Sequence, residues 1–138
     1  MPADNYSFLY VIEHGGWPGL IKDMQTNVPY LVASPLLYFI YQLFGTAPPG
    51  WIITAIIFHS LNAFLLFLMV NQLFKTLCLP GKNIPAFFAA LIFLISPYQT
   101  EDVLWVAISV RWLFHACITL AGMMVFISSV PIFPFSPA

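Results

Sequence analysis

Residues 51–74 read WIITAIIFHSLNAFLLFLMVNQLF and contain no charged side chain. At about 1.5 Å per residue, a helix over these positions is longer than the ~30 Å hydrocarbon core of a bilayer. Pro48-Pro49-Gly50 precedes this run and Lys75 follows it directly, so the run is bounded at both ends. The stretch predicts a transmembrane helix over residues 51–74.

The composition of the chain indicates the same class of protein. Of its 138 residues, 61% are hydrophobic and 7% are charged, and the mean hydropathy is +0.91. Soluble domains carry about 25% charged residues, which solvate their surface. Because four basic and five acidic side chains are too few for that task, most of this chain must face lipid. The composition therefore predicts an all-α integral membrane protein.

Charge and cysteine usage exclude other classes. The net charge is −1 and the sequence contains no basic run, so the chain has no basic patch that would bind nucleic acid. Cys78 and Cys117 show no metal-ligand spacing, and neither a zinc site nor a disulfide is expected. Residues 1–10 lack the basic and apolar regions of a signal peptide.

Two further apolar runs follow the first span. Residues 84–96 (IPAFFAALIFLIS) are short for a crossing, which takes about 20 residues, but a tilted helix could still span the bilayer here. Residues 103–127 form a longer run that contains Arg111 and His115. We therefore expect about three transmembrane helices, at 51–74, 84–96 and 103–127. They would be joined by loops at 75–83 and 97–102 and followed by an irregular, proline-rich tail at 128–138.

Residues 1–50 differ in composition from the rest of the chain. Glycines and prolines divide them, and the apolar run at 28–44 contains Pro35, three tyrosines and Gln42. A transmembrane crossing of this run is one interpretation. Aromatic-rich segments interrupted by proline instead favour the headgroup level. We predict that residues 1–50 form a non-cytoplasmic loop with interfacial helices.

The placement of the lysines predicts the orientation. Lys75 and Lys82 both fall in the 75–83 loop, which the positive-inside rule assigns to the cytoplasm. All five carboxylates then lie on the opposite, outer side, with Lys22 as the exception among them. The expected location is the cell (inner) membrane, with several crossings.

The third predicted span carries the sequence's least expected charge. Arg111 lies about 12 Å along the helix from Val103, deep enough that a charge costs at least ~2.5 kcal/mol and normally has a polar partner. Helical periodicity places Glu101, Arg111 and His115 within one stripe. Arg111 could bind a ligand, or it could pair with a carboxylate only to hold helices together.

The first span carries the polar pair His59 and Asn62 at positions i and i+3. Hydrogen bonds to neighbouring helices would explain both, at about 0.6 kcal/mol each. A role in binding a ligand is the alternative for His59.

Taken in order, five short motifs resemble the N-terminal part of the GT-C fold membrane glycosyltransferases, in particular the protein O-mannosyltransferases and aminoarabinose transferases. That family opens its first outer loop with an acidic pair and an aromatic residue, and continues with Arg-Pro-Leu, Leu-Phe-Gly and a span containing His-x-x-Asn-Ala. A Pro-x-x-x-Glu-x-Val-x-Trp stretch then leads into a span with an arginine. The matching positions are Asp4-Asn5-Tyr6, Ser34-Pro35-Leu36, Leu43-Phe44-Gly45, His59, Asn62, Ala63, Pro97, Glu101, Val103, Trp105 and Arg111.

The resemblance implies a partial GT-C fold and a polyprenyl-phosphate sugar donor. By this resemblance, Asp4 and Glu101 are the catalytic candidates, with Asp4 as the base toward an acceptor hydroxyl. Arg111, His59 and His115 are the candidates for binding the lipid phosphate. The resemblance implies no metal site and no cofactor, although a divalent metal is left open, and the acceptor is unknown. Asn5 and Ser34 depart from the family pattern, at the second acid and at the arginine respectively.

Family members carry a span before the acidic loop and many spans after this region. We therefore expect a fragment or a shortened relative that is inactive alone. The competing hypothesis is a non-enzymatic small membrane subunit whose polar residues only hold helices together. A transporter is a weaker third alternative, since internal repeats are missing.

Overall fold

The computed structural model describes residues 3–26, 32–81, 83–96 and 106–129. Within these residues the chain forms five helices and no strand, which confirms the all-helical class. In chain order the helices are α1 Ala3–Thr26, α2 Ser34–Phe44, α3 Pro48–Thr76, α4 Asn83–Ile95 and α5 Val106–Ser129.

Helix α3 lies at the centre of the structure. It packs most extensively against α5 and next against α4, while α1 and α2 make smaller contacts. The main core cluster joins the start of α2, the first turns of α3 and the first half of α5. Its buried members are Ala33, Leu37, Ile40, Trp51, Ala55, Val110 and Leu113.

Two helices are long and apolar enough to cross a membrane, namely Pro48–Thr76 and, within α5, Ser109–Ser129. Only 22% and 11% of their most apolar 18-residue windows are buried, whereas the core helix of a soluble protein is mostly buried. Large exposed apolar side chains such as Ile57, Val125 and Phe126 suit a hydrocarbon solvent better than water.

The first predicted span begins three residues earlier in the structure than the sequence predicted. The sequence predicted a start at Trp51, after a proline break, but α3 begins at Pro48. Proline lacks an N–H that the first helical turn leaves unpaired in any case, so Pro48-Pro49 starts this helix instead of delaying it. The helix ends at Thr76, with Lys75 in its last turn, where a cation favours the negative end of the helix dipole.

The second predicted span, at 84–96, is a helix of 13 residues, Asn83–Ile95. Its length of about 19 Å falls short of the hydrocarbon core, and it is not one of the two helices long enough to cross. A crossing of the membrane by residues 84–96 therefore stays a prediction. The predicted outer loop at 97–102 and residues 130–138 of the predicted tail lie outside the described residues. The first two residues of the tail predicted at 128–138 belong to α5, which continues to Ser129.

The N-terminal fifty residues form α1, α2 and the turn before α3. Helix α1 bends at Gly16, whose φ of 53° and ψ of −150° are not helical, two residues before Pro18, which cannot continue an α-helical ladder. Pro35 lies in the first turn of α2, so it starts that helix where the sequence suggested a break. Helix α2 has 11 residues and is about 16 Å long, too short to cross. Its position at the interface stays a prediction.

Candidate functional site

The polar pair on α3 reaches both neighbouring helices. The amide nitrogen Nδ2 of Asn62 donates to the carbonyl oxygen of Leu113 on α5 at 2.8 Å. The ring nitrogen Nε2 of His59 lies 3.3 Å from the carbonyl oxygen of Leu94 on α4, and the ring stacks on Phe93 with centroids 5.0 Å apart. The expectation that hydrogen bonds to neighbouring helices occupy His59 and Asn62 is confirmed.

Burial limits what this pair can contact from outside. Asn62 is fully buried and His59 is 8% exposed. Two of their polar atoms, Nδ1 of His59 and Oδ1 of Asn62, have no hydrogen-bond partner among the described residues. A role of His59 in binding a lipid phosphate stays a prediction, and the ring would have to reach the phosphate from the interior of the helix bundle.

Arg111 and His115 form a second polar group, one turn apart on α5. The ring nitrogen Nδ1 of His115 donates to the backbone carbonyl oxygen of Arg111 at 2.8 Å, and both side chains are half-buried. The guanidinium carbon Cζ of Arg111 lies 5.7 Å from the ring centroid of Trp112, an exposed side chain. Arg111 and His115 therefore share a face of the helix, as the helical stripe predicted.

Asn62 of α3 contacts one face of α5, and Arg111 and His115 lie on another face of that helix. Its buried side chains are Ser109, Val110 and Leu113, and at about 100° per residue Arg111 and His115 lie roughly opposite them. Asn62 meets α5 at Leu113. The structure thus brings Arg111 and His115 together and separates them from His59 and Asn62.

The depth of Arg111 in a bilayer stays a prediction, because residues 97–105 before α5 lie outside the described part of the chain. Within that part, Arg111 lies about 7.5 Å along α5 from Val106. An arginine side chain can extend along a helix toward the headgroup level. Trp112 beside it is a residue type that is enriched at that level.

The two catalytic candidates fall largely outside what the structure describes. Glu101 lies outside the described residues. Asp4 belongs to α1, but its side chain is also outside the described part. The convergence of Asp4, Glu101 and Arg111 on one cavity therefore stays a prediction. No group of three or more His, Cys, Asp or Glu side chains that could hold a metal occurs among the described residues.

Sequence reasoning missed three buried polar groups. Ser34 and Ser109 are almost completely buried, and the indole nitrogen Nε1 of Trp51 donates to the carbonyl oxygen of Gly45 at 2.9 Å. The resemblance expected a cation at the position of Ser34, but a fully buried position is a poor place for one. The small size of both serines is compatible with burial, but no motif marks them.

A shallow groove of about 270 Å³ lies between α3 and α4. Its lining is almost entirely apolar and consists of Ala63, Phe64, Phe67, Phe87, Ala90, Leu91 and Leu94. Because it offers no charged group, it suits hydrocarbon and cannot bind a sugar or a phosphate by polar contacts.

The fold and these sites define a helical protein with two helices that could cross a membrane and two separate groups of polar side chains. Comparison with protein-family models, with curated proteins and with solved structures found no match to this chain.

Proposed function

We propose that this chain is part of a membrane glycosyltransferase, or a shortened relative of one, that binds a polyprenyl-phosphate sugar at the outer face of the inner membrane. The transfer itself would require further spans, so the chain alone is proposed to bind the donor without turning it over. Support comes from the ordered motifs between Asp4 and Arg111 and from the surroundings of Arg111.

The position of Arg111 is the observation that carries the proposal. A half-buried guanidinium in the first described turns of a long apolar helix, beside an exposed tryptophan, supports binding of the phosphate of a membrane lipid. Guanidinium donors match phosphate oxygens in a forked, charge-assisted geometry. The imidazole ring of His115, one turn further along the same face, is a second group that could reach the phosphate.

In the proposed reaction, Asp4 acts on the acceptor hydroxyl and Arg111 acts on the phosphate of the donor. Asp4 would take the proton from the acceptor hydroxyl, whose oxygen attacks the anomeric carbon of the sugar. The bond from that carbon to the phosphate oxygen breaks, and the polyprenyl phosphate leaves with the electron pair. Arg111 would stabilise the negative charge that develops on the phosphate, and Glu101 would shape the acceptor side.

Binding of polyprenyl phosphate to the purified chain in nanodiscs tests this proposal. We expect Arg111→Gln to weaken binding at least about tenfold, because a charge-assisted hydrogen bond contributes ~1.5–3 kcal/mol and 1.4 kcal/mol is a factor of ten. Lys75→Gln is the matched control, since it removes one cation from the end of α3 that we assign to the cytoplasm. Equal losses in the two variants would indicate nonspecific attraction, and unchanged binding in Arg111→Gln would refute the role of Arg111.

Orientation can be tested separately with a thiol reagent that does not cross membranes. Cys78 is exposed in the connection after α3, which we assign to the cytoplasm. In intact cells we expect labelling of a Ser7→Cys variant made in a Cys78→Ser background, and no labelling of Cys78 in the wild type. Labelling of Cys78 alone would reverse the topology and remove Asp4 from the outer face.

The second candidate function is a non-enzymatic membrane subunit whose polar residues hold helices together. The hydrogen bonds from His59 to α4 and from Asn62 to α5 favour it. This candidate predicts that Arg111→Gln leaves lipid binding unchanged while Asn62→Leu loosens the helix packing, so the nanodisc experiment separates the two functions.

A further inference from the structure

The bend in α1 at Gly16 is sharp enough to bring the two halves of the helix together. A Cβ atom added at Gly19 would lie only 3.3 Å from the carbonyl oxygen of Val11. In a straight helix these positions, eight residues apart, would be separated by about 12 Å along the axis. Residues 3–15 and 17–26 therefore run in different directions, and a glycine stands where they approach each other.

The bend depends on a backbone conformation that favours glycine. Gly16 has φ 53° and ψ −150°, the mirror image of an extended conformation, which glycine adopts readily and a residue with a Cβ atom does not. Space is not the reason, because the nearest atom to an added Cβ would be Cδ of Pro18 at 3.9 Å. Pro18 has no N–H to donate to the carbonyl of His14, so the helical ladder is also interrupted here.

Both halves of α1 are held against the rest of the structure. In the second half, Leu20 is fully buried and the ring of Trp17 lies 5.1 Å from that of Tyr38 on α2. In the first half, Ile12 is 2% exposed and Leu9 packs against the core cluster to which α5 contributes two residues. The bend thus turns the first half of α1 onto the core.

We infer that Gly16 is a positioning residue for the acceptor side of the proposed site. Asp4, the proposed base, belongs to the first half of α1, and Arg111, the proposed phosphate ligand, belongs to α5. The conformation of Gly16 sets the direction of residues 3–15 relative to the core that includes α5, and so determines where Asp4 lies. The role of Asp4 rests on the proposed function, whereas the dependence of the bend on Gly16 does not.

Double electron–electron resonance on the whole chain in nanodiscs tests this inference. Spin labels are attached at Ser7→Cys and Gln25→Cys, in a background in which Cys78 and Cys117 are replaced by serine. A straight α1 would place these positions, 18 residues apart, about 27 Å from each other. We expect a clearly shorter distance when Gly16 is present. Gly16→Ala should shift the distribution to longer distances, because alanine disfavours the bent backbone.

Gly15→Ala is the matched control, since an added Cβ there would meet nothing within 4 Å and the φ of Gly15 is not positive. It should leave the distance unchanged. A residue that only stabilised the fold would lower the unfolding midpoint on substitution without shifting the distance. A distance of about 27 Å with Gly16 present, or an unchanged short distance in Gly16→Ala, would overturn the inference. Both outcomes are independent of lipid binding, so failure of the Arg111→Gln prediction would refute the proposed donor site and leave the bend untouched.

Discussion

Trp51→Ala is expected to lower the free energy of unfolding by about 3–5 kcal/mol, the range for truncation of a large buried aromatic side chain. Trp51 is the largest fully buried side chain in the described structure and belongs to the core cluster that joins α2, α3 and α5. Its indole nitrogen also donates to the carbonyl of Gly45 at 2.9 Å. Alanine would remove the packing and the hydrogen bond together.

Trp51→Phe separates these two contributions. Phenylalanine retains most of the ring volume but leaves the Gly45 carbonyl without its indole donor, which should cost about 1–2 kcal/mol. The measurement is unfolding in mild-detergent micelles by far-ultraviolet circular dichroism. Trp112→Ala provides the control, because Trp112 is 57% exposed and should change stability little. A loss in Trp112→Ala as large as that in Trp51→Ala would contradict the assignment of Trp51 to the core.

Gly50→Val should disrupt the packing of the first turn of α3 against the end of α2 and destabilise the protein by about 3 kcal/mol, at the upper end of the range for overpacking. A side chain at this position would overlap Phe44, whose Cβ atom would lie 2.6 Å from the new Cβ. Because a Cβ atom cannot move without its backbone, a rotamer change of Phe44 would not relieve the contact.

The control for Gly50 is a glycine with free space around it. A Cβ atom at Gly122 on α5 would meet nothing within 4 Å, so Gly122→Ala should be neutral or stabilising by up to about 1 kcal/mol, as expected in a helix interior. The same detergent unfolding assay measures both variants. If Gly50→Val unfolded like the wild type, close packing of Phe44 on this turn would be refuted.

Several features of the fold could be predicted from individual residues. The uncharged run from Trp51 to Phe74 predicted the long central helix, and the four-residue spacing of Arg111 and His115 predicted their common face. These predictions succeeded because they depend on local geometry, namely the rise and rotation of a helix. The prolines were less informative, since the same residue type either interrupts a helix or starts one. Pro35 and Pro48 both start helices.

The candidate site was predictable only in part. The sequence indicated that His59 and Asn62 need partners, because isolated polar side chains in an apolar run must be satisfied. It could not indicate that Arg111 and His115 lie opposite the α3 contact on α5, because that depends on which face of α5 meets α3. The depth predicted for Arg111 depends on where the helix begins before Val106, and those residues lie outside the described part of the chain.

The sequence by itself determined that this protein has long apolar helices that could cross a membrane, because its apolar runs are long and carry almost no charge. The tertiary structure alone decided which groups satisfy the polar residues. The partners of His59 and Asn62 are backbone carbonyls 35 and 51 positions away along the chain. Every residue has such a carbonyl, so no residue type marks these two as partners. Only the packing of α4 and α5 against α3 brings them within reach.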